Sequence, residues 1–202
     1  MLLFIITRTK HQTHLIDKNI YPEMDHVFSN RHKIRHELDN LLASNKWSKW
    51  SGDYTSKPTP IFSKMTDKEI INRIKQREQP LNSGDSGWKL YSLILNKNII
   101  TDNAQHCPAT MKLLQSNNII NAGFSCIEPN FTIDSHRDFN KSIVRCHIPL
   151  IIPIGDCALQ IEDEIVHWNN NDYFIFDDTM QHKAWNKTDR NRIVLIIDLQ
   201  RR

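Results

Sequence analysis

The fold of this chain is decided by residues 143–168, which read IVRCHIPLIIPIGDCALQIEDEIVHW. The stretch contains three short apolar runs, and two turns separate them. The first turn carries Pro153 and Gly155, and the second is the acidic triplet at residues 162–164. Short apolar runs bounded by turn residues predict β-strands, because an amphipathic helix shows a longer run with apolar residues every three or four positions.

Short apolar runs separated by turns continue on both sides of this stretch. Further strands are predicted at residues 88–95, 119–127, 173–176 and 192–199. Short strands at such regular spacing favour a sandwich or barrel over alternating strands and helices. We therefore predict a mainly β fold, a double-stranded β-helix of jelly-roll or cupin-like form, whose mouth can hold a metal ion and a small ligand.

The chain is predicted to have two parts that pack as one unit. An N-terminal helical and irregular extension, residues 1–86, packs on a β-helix core, residues 87–202. In the extension, a helix capped by Ser29 is predicted from apolar residues at helical spacing, namely Ile34, Leu38, Leu41 and Leu42. The remaining segments are predicted as an irregular stretch, a loop and a short helix with a capping box, at residues 7–22, 51–64 and 66–79. A short helix opening at Pro108 is expected within the core.

Composition places the chain among globular, soluble proteins. Hydrophobic residues make up 39% and the net charge is +3 with no basic run, so a nucleic-acid partner is not expected. The apolar segment at residues 1–6 is too short for a signal peptide or a membrane span. We expect no transmembrane segment and a cytoplasmic location. The four cysteines show no C-x-x-C spacing, which predicts free thiols.

Three residues are candidates for metal ligands. In an extended strand, residues two apart point to the same side, so His136 and Asp138 can reach one ion while Arg137 points away. His182, after the strand ending at residue 176, is the candidate for the third ligand. Two imidazoles and one carboxylate on one face of a metal are typical of non-haem Fe(II) oxygenases, whereas no closed zinc set is indicated. Because the chain has ten histidines, chance spacing is the alternative.

A slot for an acidic co-substrate is the second candidate site. Arg192 opens an otherwise apolar strand, and a guanidinium at the head of a buried run needs an anionic partner or a route to water. Arg145 and His147 share one face of their strand, and Ser125, at the end of another strand, adds a hydroxyl. The alternatives are an Arg192 that reaches solvent and a solvent-facing Arg145 and His147.

Taken together, these motifs resemble the aspartyl/asparaginyl β-hydroxylase family of 2-oxoglutarate- and Fe(II)-dependent dioxygenases, which includes lipid A hydroxylases. The resemblance covers about residues 85–199. It is carried by an ordered set of motifs, namely Gly87-Trp88-Lys89, Pro108, Phe124-Ser125, Pro129, His136-Arg137-Asp138, Arg145-Cys146-His147-Ile148-Pro149-Leu150, Phe176-Asp177-Asp178-Thr179, His182, Trp185 and Arg192.

The resemblance implies a hydroxylase that uses Fe(II), 2-oxoglutarate and O2. It implies His136 and His182 as iron ligands and places four residues around 2-oxoglutarate, namely Ser125, Arg145, His147 and Arg192. Two roles stay open for Asp138, completing the ligand set or bonding to a bound water. This chain has Pro149 where the family often has glycine. The implied substrate is a protein side chain, a lipid acyl chain or a small molecule.

Two competing interpretations remain at this point. The first is a cupin-like metalloprotein with different chemistry, which would bind a metal without depending on 2-oxoglutarate. The second is a catalytically silent jelly roll that serves as a binding or structural module, which would bind no metal.

Overall fold

The structure is a computed structural model that describes residues 14–44, 48–49 and 87–202. The predicted loop at residues 51–64 and the predicted helix at residues 66–79 lie outside the described residues. The division of the chain into an extension and a core at residue 87 therefore stays a prediction.

The described part of the chain contains twelve strands in two sheets. In chain order they are β1 (Leu15–Ile16), β2 (Ser48–Lys49), β3 (Trp88–Leu95), β4 (Asn98–Ile99), β5 (Ile119–Ile127), β6 (Phe131–His136), β7 (Ile143–Ile151), β8 (Cys157–Ile161), β9 (Glu164–His167), β10 (Phe174–Phe176), β11 (His182–Asn186) and β12 (Arg192–Gln200). The larger sheet has the order β1-β10-β7-β12-β5-β3-β2, with β4 paired to β3, and the smaller has the order β6-β11-β8-β9.

This strand order confirms the predicted double-stranded β-helix. When β5 to β12 are numbered one to eight, the larger sheet contains the order one-eight-three-six and the smaller sheet two-seven-four-five. Consecutive strands of the core thus mostly alternate between the two sheets, as in a jelly roll. All pairings within both sheets are antiparallel.

Helices cover the outer face of the larger sheet. They are α1 (Glu23–Ser29), α2 (Arg31–Ser44), α3 (Thr101–Ala104) and α4 (Pro108–Leu113). The prediction that Ser29 caps the second of these was wrong, because Ser29 is the last residue of α1. The apolar face was predicted correctly, since α2 buries Ile34, Leu38 and Leu41. The expectation of irregular structure at residues 7–22 was also wrong in part, because β1 pairs with β10 at the sheet edge.

Two apolar cores follow from the period of two along the strands. Residues 193, 195, 197 and 199 of β12 pack toward the helices, whereas Val194 packs into the space between the sheets. Arg192 and Asp198 share the inner face with Val194, and both are buried. Polar groups therefore lie at both ends of the inner face of a strand whose outer face is wholly apolar.

The four cysteines lie in the interior of the fold. All four cysteines are free thiols, as predicted, and all are buried. None of the helices in the described ranges combines the length and the apolar character needed to cross a bilayer.

Candidate active site

His136 and His182 meet on neighbouring strands of the smaller sheet. His136 ends β6, His182 begins β11, and the two residues are direct partners in the antiparallel register. Their ring centroids lie 4.3 Å apart, with the ring planes inclined by 57°. The prediction that both imidazoles can reach a common point is therefore consistent with the pairing of β6 and β11.

Backbone carbonyls hold both imidazoles in the same tautomer. Nδ1 of His136 lies 2.7 Å from the carbonyl oxygen of Asp134, and Nδ1 of His182 lies 2.8 Å from that of Met180. A carbonyl oxygen only accepts, so Nδ1 carries the proton and donates in each ring, which leaves the lone pair on Nε2. Metal-binding histidines are commonly oriented by this kind of hydrogen bond.

Both imidazoles are held neutral by their surroundings. Burial, together with neighbouring His136, lowers the pKa of His182 to about 3. Burial also lowers the pKa of His136. Near neutral pH the pair therefore offers two lone pairs and no positive charge, which suits a divalent metal ion.

Asp138 is not brought into a cluster with the two histidines. Strand β6 ends at His136, so the alternation of a strand does not extend to residue 138. The Asp138 carboxylate accepts from the backbone N–H of Phe139 at 2.7 Å, and its other oxygen lies 3.9 Å from Nη2 of Arg145. Over the described ranges, no group of three or more His, Cys, Asp or Glu side chains is placed to hold a metal. The role of Asp138 as a ligand stays a prediction.

Arg192 is a buried cation that lacks an anionic partner in the described part of the chain. It is 2% exposed, and its Nη1 donates to the carbonyl oxygen of Ser125 at 3.4 Å. Its Nε has no hydrogen-bond partner, and none of the ion pairs formed by described residues includes it. Burial lowers its pKa to about 10, so the guanidinium stays charged at neutral pH. A buried, unpaired charge is costly, and a carboxylate ligand would offset that cost.

His147 adds a hydrogen-bond donor to the same region. Its ring is buried between Trp168, Phe174 and Phe176, which belong to the core between the sheets. Its Nδ1 lies 3.2 Å from Nε1 of Trp168, and its Nε2 has no hydrogen-bond partner among the described residues. Burial first, then Arg192, holds the pKa of His147 well below its usual range. Arg145 and His147 therefore face inward, and the alternative of a solvent-facing pair does not hold for His147.

Phe176 connects this region to the paired histidines. Its ring lies 5.2 Å from that of His147 and 5.5 Å from that of His182, in edge-on geometry in both cases. The buried Ser125, whose Oγ accepts from Nε1 of Trp88 at 2.9 Å, lies on the Arg192 side. His147 thus lies one aromatic ring away from His182, and Trp168 connects His147 to Arg192.

Arg145 is bound by carboxylates of the protein itself. Asp198, its register partner across β7 and β12, accepts from Nε at 2.7 Å and from Nη2 at 3.0 Å. Asp178 lies 3.2 Å from Nη2, although the pair is not aligned as a hydrogen bond. Burial alone would lower the pKa of Arg145, but Asp198 and Asp178 raise it well above its usual value. Contact of Arg145 with a co-substrate stays a prediction.

The adjacent acids Asp177 and Asp178 have separate roles. Asp177 accepts from the backbone N–H and the hydroxyl of Thr179, at 3.0 and 2.7 Å, and so caps a turn. Asp178 is fully buried, and burial raises its pKa to about 7. Neither bonds to Nδ1 of His182, which is held by the Met180 carbonyl.

Sequence reasoning missed two residues of this region. Asp198 lies in a run that the sequence predicts as an apolar strand, and a single acid within such a run is a signal for a buried cation on the next strand. Trp168 is the last residue of a predicted strand. Its contacts with His147 and Arg192 depend on the tertiary structure, and no local pattern indicates them.

The chain resembles known proteins over most of its length. The model of the aspartyl/asparaginyl beta-hydroxylase family matches residues 28–202. The chain is 33% identical over 119 residues to an ornithine lipid ester-linked acyl 2-hydroxylase from Rhizobium tropici, covering 57% of this chain and 42% of that protein. It is 31% identical over 130 residues to aspartate beta-hydroxylase domain-containing protein 2 from Xenopus tropicalis, covering 59% and 35%. The chain spans less than half of the length of either relative.

The likeness to solved structures is distant. The cupin domain of Cnp3 from Schizosaccharomyces pombe has a TM-score of 0.39 and 9% identity, covering 58% of this chain and 67% of that one.

Proposed function

The chain belongs to the aspartyl/asparaginyl β-hydroxylase family, and from this premise we propose that it is an Fe(II)- and 2-oxoglutarate-dependent dioxygenase that hydroxylates an unactivated C–H bond. One juxtaposition supports the proposal above all others. The neutral imidazoles of His136 and His182 carry their lone pairs on Nε2, and the ring of Phe176 lies between His182 and His147. His147 in turn lies near the buried guanidinium of Arg192, which has no anionic partner among the described residues.

In this proposal, His136 and His182 are the residues that would hold the iron. Imidazole nitrogens suit ferrous iron, and the carbonyl bonds at Nδ1 keep both Nε2 atoms unprotonated. Asp138 keeps two proposed roles, as a third ligand or as the partner of a bound water. The bound iron, with 2-oxoglutarate and O2, supplies the oxidation that converts a C–H bond to an alcohol and leaves succinate and carbon dioxide.

The residues of the inner face bind and orient the co-substrate. Arg192 offers charged donors to the distal carboxylate, and Ser125, whose backbone carbonyl accepts from Arg192, adds its hydroxyl as a further group. His147 offers Nε2–H as a further donor. The rings of Trp168, Phe174 and Phe176 line the same region and exclude water, which strengthens these charged contacts.

The proposal is tested by purifying the protein without oxygen and measuring succinate after Fe(II), 2-oxoglutarate and O2 are added. We expect His182→Ala to reduce succinate formation to background, because one of two imidazole ligands is lost. We expect Arg192→Ala to raise the half-saturating 2-oxoglutarate concentration about 30-fold or more, since truncating one partner of a buried charge pair costs about 2 kcal/mol or more.

Two exposed residues provide matched controls. His167→Ala removes a histidine from β9, and Arg190→Ala removes an arginine two residues before Arg192; both side chains are exposed. Neither change should alter the succinate rate. Unchanged turnover in His182→Ala would contradict the proposed ligand role. Metal binding with turnover independent of 2-oxoglutarate would favour another cupin chemistry, and no metal binding would favour a silent module.

The names of the relatives indicate two substrate classes. One relative is described as a lipid acyl hydroxylase, and the family name refers to aspartyl and asparaginyl residues. Incubating the reconstituted protein with a lipid extract and, separately, with peptides containing Asp and Asn separates the two. We expect the gain of one oxygen atom, measured by mass spectrometry, in one of the two samples.

A further inference from the structure

Trp168 contacts both of the buried groups that the proposed function assigns to the co-substrate. It follows directly after β9 and is 5% exposed. Its indole Nε1 lies 3.2 Å from Nδ1 of His147, and its ring centroid lies 4.5 Å from Cζ of Arg192. A single side chain therefore connects the neutral donor and the cation of the slot.

The first contact decides which nitrogen of His147 carries the proton. An indole nitrogen only donates, so Nδ1 of His147 must accept, and in a neutral ring the proton then resides on Nε2. That Nε2–H is buried and has no hydrogen-bond partner within the described ranges. In the other tautomer, Nε2 would present a lone pair to a carboxylate, and the two acceptors would repel each other.

The second contact stabilises the Arg192 cation without neutralising it. A guanidinium within about 6 Å of an indole face is attracted to the ring, and more strongly where water is excluded. A carboxylate partner would occupy the N–H donors of the guanidinium, whereas an aromatic face leaves them available. The ring of Trp168 is also nearly parallel to that of His147, at 20° and 6.1 Å, so one planar group orients both.

We infer that Trp168 is a positioning residue that sets the affinity of the slot for a dicarboxylate. It holds His147 as the Nε2–H tautomer, and it holds Arg192 as a cation that has no carboxylate partner among the described residues before the ligand binds. The inference rests on the proposed function, in which 2-oxoglutarate is that ligand. Preorganised donors bind more tightly because the ligand does not have to order them.

The test compares wild type with Trp168→Phe, which keeps an aromatic face and removes the indole N–H. Calorimetric titration of Fe(II)-loaded protein with 2-oxoglutarate, without oxygen, should show a Kd about tenfold higher in the variant, equivalent to about 1.4 kcal/mol. Steady-state rates should show a raised KM for 2-oxoglutarate with kcat largely unchanged. Trp168→Leu, which removes the ring face as well, should weaken binding further.

A second measurement reads the tautomer without any metal or activity. Nitrogen-15 NMR of histidine-labelled, metal-free protein should show an unprotonated Nδ1 and a protonated Nε2 at His147 in wild type. Trp168→Phe should give a mixture of tautomers at His147. A protonated Nδ1 in wild type overturns the inference, and this result does not require any variant to fold.

Trp185→Phe is the matched control. The indole N–H of Trp185 also donates, to Asp156, but on the outer face of the smaller sheet and away from the slot. It should leave both the Kd and the His147 tautomer unchanged. If wild type binds 2-oxoglutarate and Trp168→Phe binds it equally well, the inference fails alone. If wild type does not bind 2-oxoglutarate, the proposed function fails with it.

Discussion

At the scale of single residues, the two buried arginines of the site differ in whether a carboxylate of the protein neutralises them. Arg145 faces Asp198, Asp178 and Asp138, whereas Arg192 has no anionic partner among the described residues. A protein gains little from a buried unpaired cation unless a ligand completes it. The contrast between the two arginines therefore separates a structural charge pair from a proposed binding group.

Asp198 is expected to carry much of the stability of this region. It is buried, accepts from Arg145 through both oxygens, and also accepts from Nδ2 of Asn121 at 2.9 Å. In Asp198→Asn, the new amide nitrogen would face one of these donors. We expect the free energy of unfolding of the metal-free protein, measured by urea titration, to fall by about 3 kcal/mol.

An exposed ion pair supplies the comparison for this prediction. Arg35 and Asp39 lie four residues apart on α2 with Nε to Oδ1 at 2.8 Å, and both side chains are more than 40% exposed. Asp39→Asn should cost less than about 1 kcal/mol, as solvent-exposed pairs do. Equal losses in the two variants would contradict the view that the pair of Arg145 and Asp198 is stabilised by burial.

At the scale of elements, one helix supplies the cap of another. Glu37, buried on α2, accepts from the backbone N–H groups of Ala109 and Thr110 at 2.7 and 2.9 Å, and from the Thr110 hydroxyl at 2.6 Å. The first N–H groups of a helix have no partner within it, so this carboxylate satisfies the start of α4. The acid also carries negative charge to the positive end of the helix dipole.

Removing this cap should destabilise the fold without touching the site. In Glu37→Ala, the buried N–H of Thr110 loses its partner, and we expect a loss of about 1 to 3 kcal/mol in the free energy of unfolding. Glu37→Gln keeps one acceptor oxygen and should lose less. Asn40→Ala, on the exposed side of α2, should change stability by less than about 0.5 kcal/mol. Chemical denaturation measures all three, and an unaltered Glu37→Ala would refute the capping role.

The strands show where local pattern is informative. Strands β3 and β5 have the predicted bounds, because their apolar runs end at clear turns. Strands β6 and β11, which carry the two histidines, were not predicted as strands. Their sequences, FTIDSH and HKAWN, contain few apolar residues. Their buried residues Ile133 and Ala184 pack against the facing, larger sheet, which supplies the burial that their own composition does not indicate.

At the scale of the whole molecule, buried histidines make stability depend on pH. The folded pKa of His182 is about 3 and that of His147 is well below its usual value, whereas an unfolded histidine binds a proton near pH 6.5. The stability that comes from keeping these two histidines neutral is fully present above about pH 6.5. It is lost as the pH falls from there toward their pKa values in the folded protein. Asp178 acts in the opposite direction, because its folded pKa is raised to about 7, so it binds a proton that the unfolded chain does not hold until about pH 3.9.

We therefore expect the metal-free protein to lose stability on acidification. Between about pH 6 and pH 4 the unfolded chain binds two more protons at His147 and His182 than the folded protein, and one fewer at Asp178. The net difference of about one proton corresponds to about 1.4 kcal/mol of stability per pH unit. His136, whose pKa is also lowered, adds to this slope. Unfolding free energies measured in a chelator at several pH values test it. Asp178→Asn should steepen the slope, and stability that rises with falling pH would contradict the expectation.

The sequence by itself determined the short apolar runs, the turns between them and the residue types available for chemistry. These were enough to predict the double-stranded β-helix and to choose His136, His182 and Arg192 as candidates. Strand-forming runs, and a charged residue at the head of such a run, are visible within a few consecutive residues. Only the tertiary structure decided which groups meet. The His136–His182 register, the Arg145–Asp198 pair and the contact of Trp168 with His147 each join residues distant in sequence. Hydrogen bonds and ion pairs depend on distances of a few ångströms in space, and the separation of two residues along the chain does not determine such a distance.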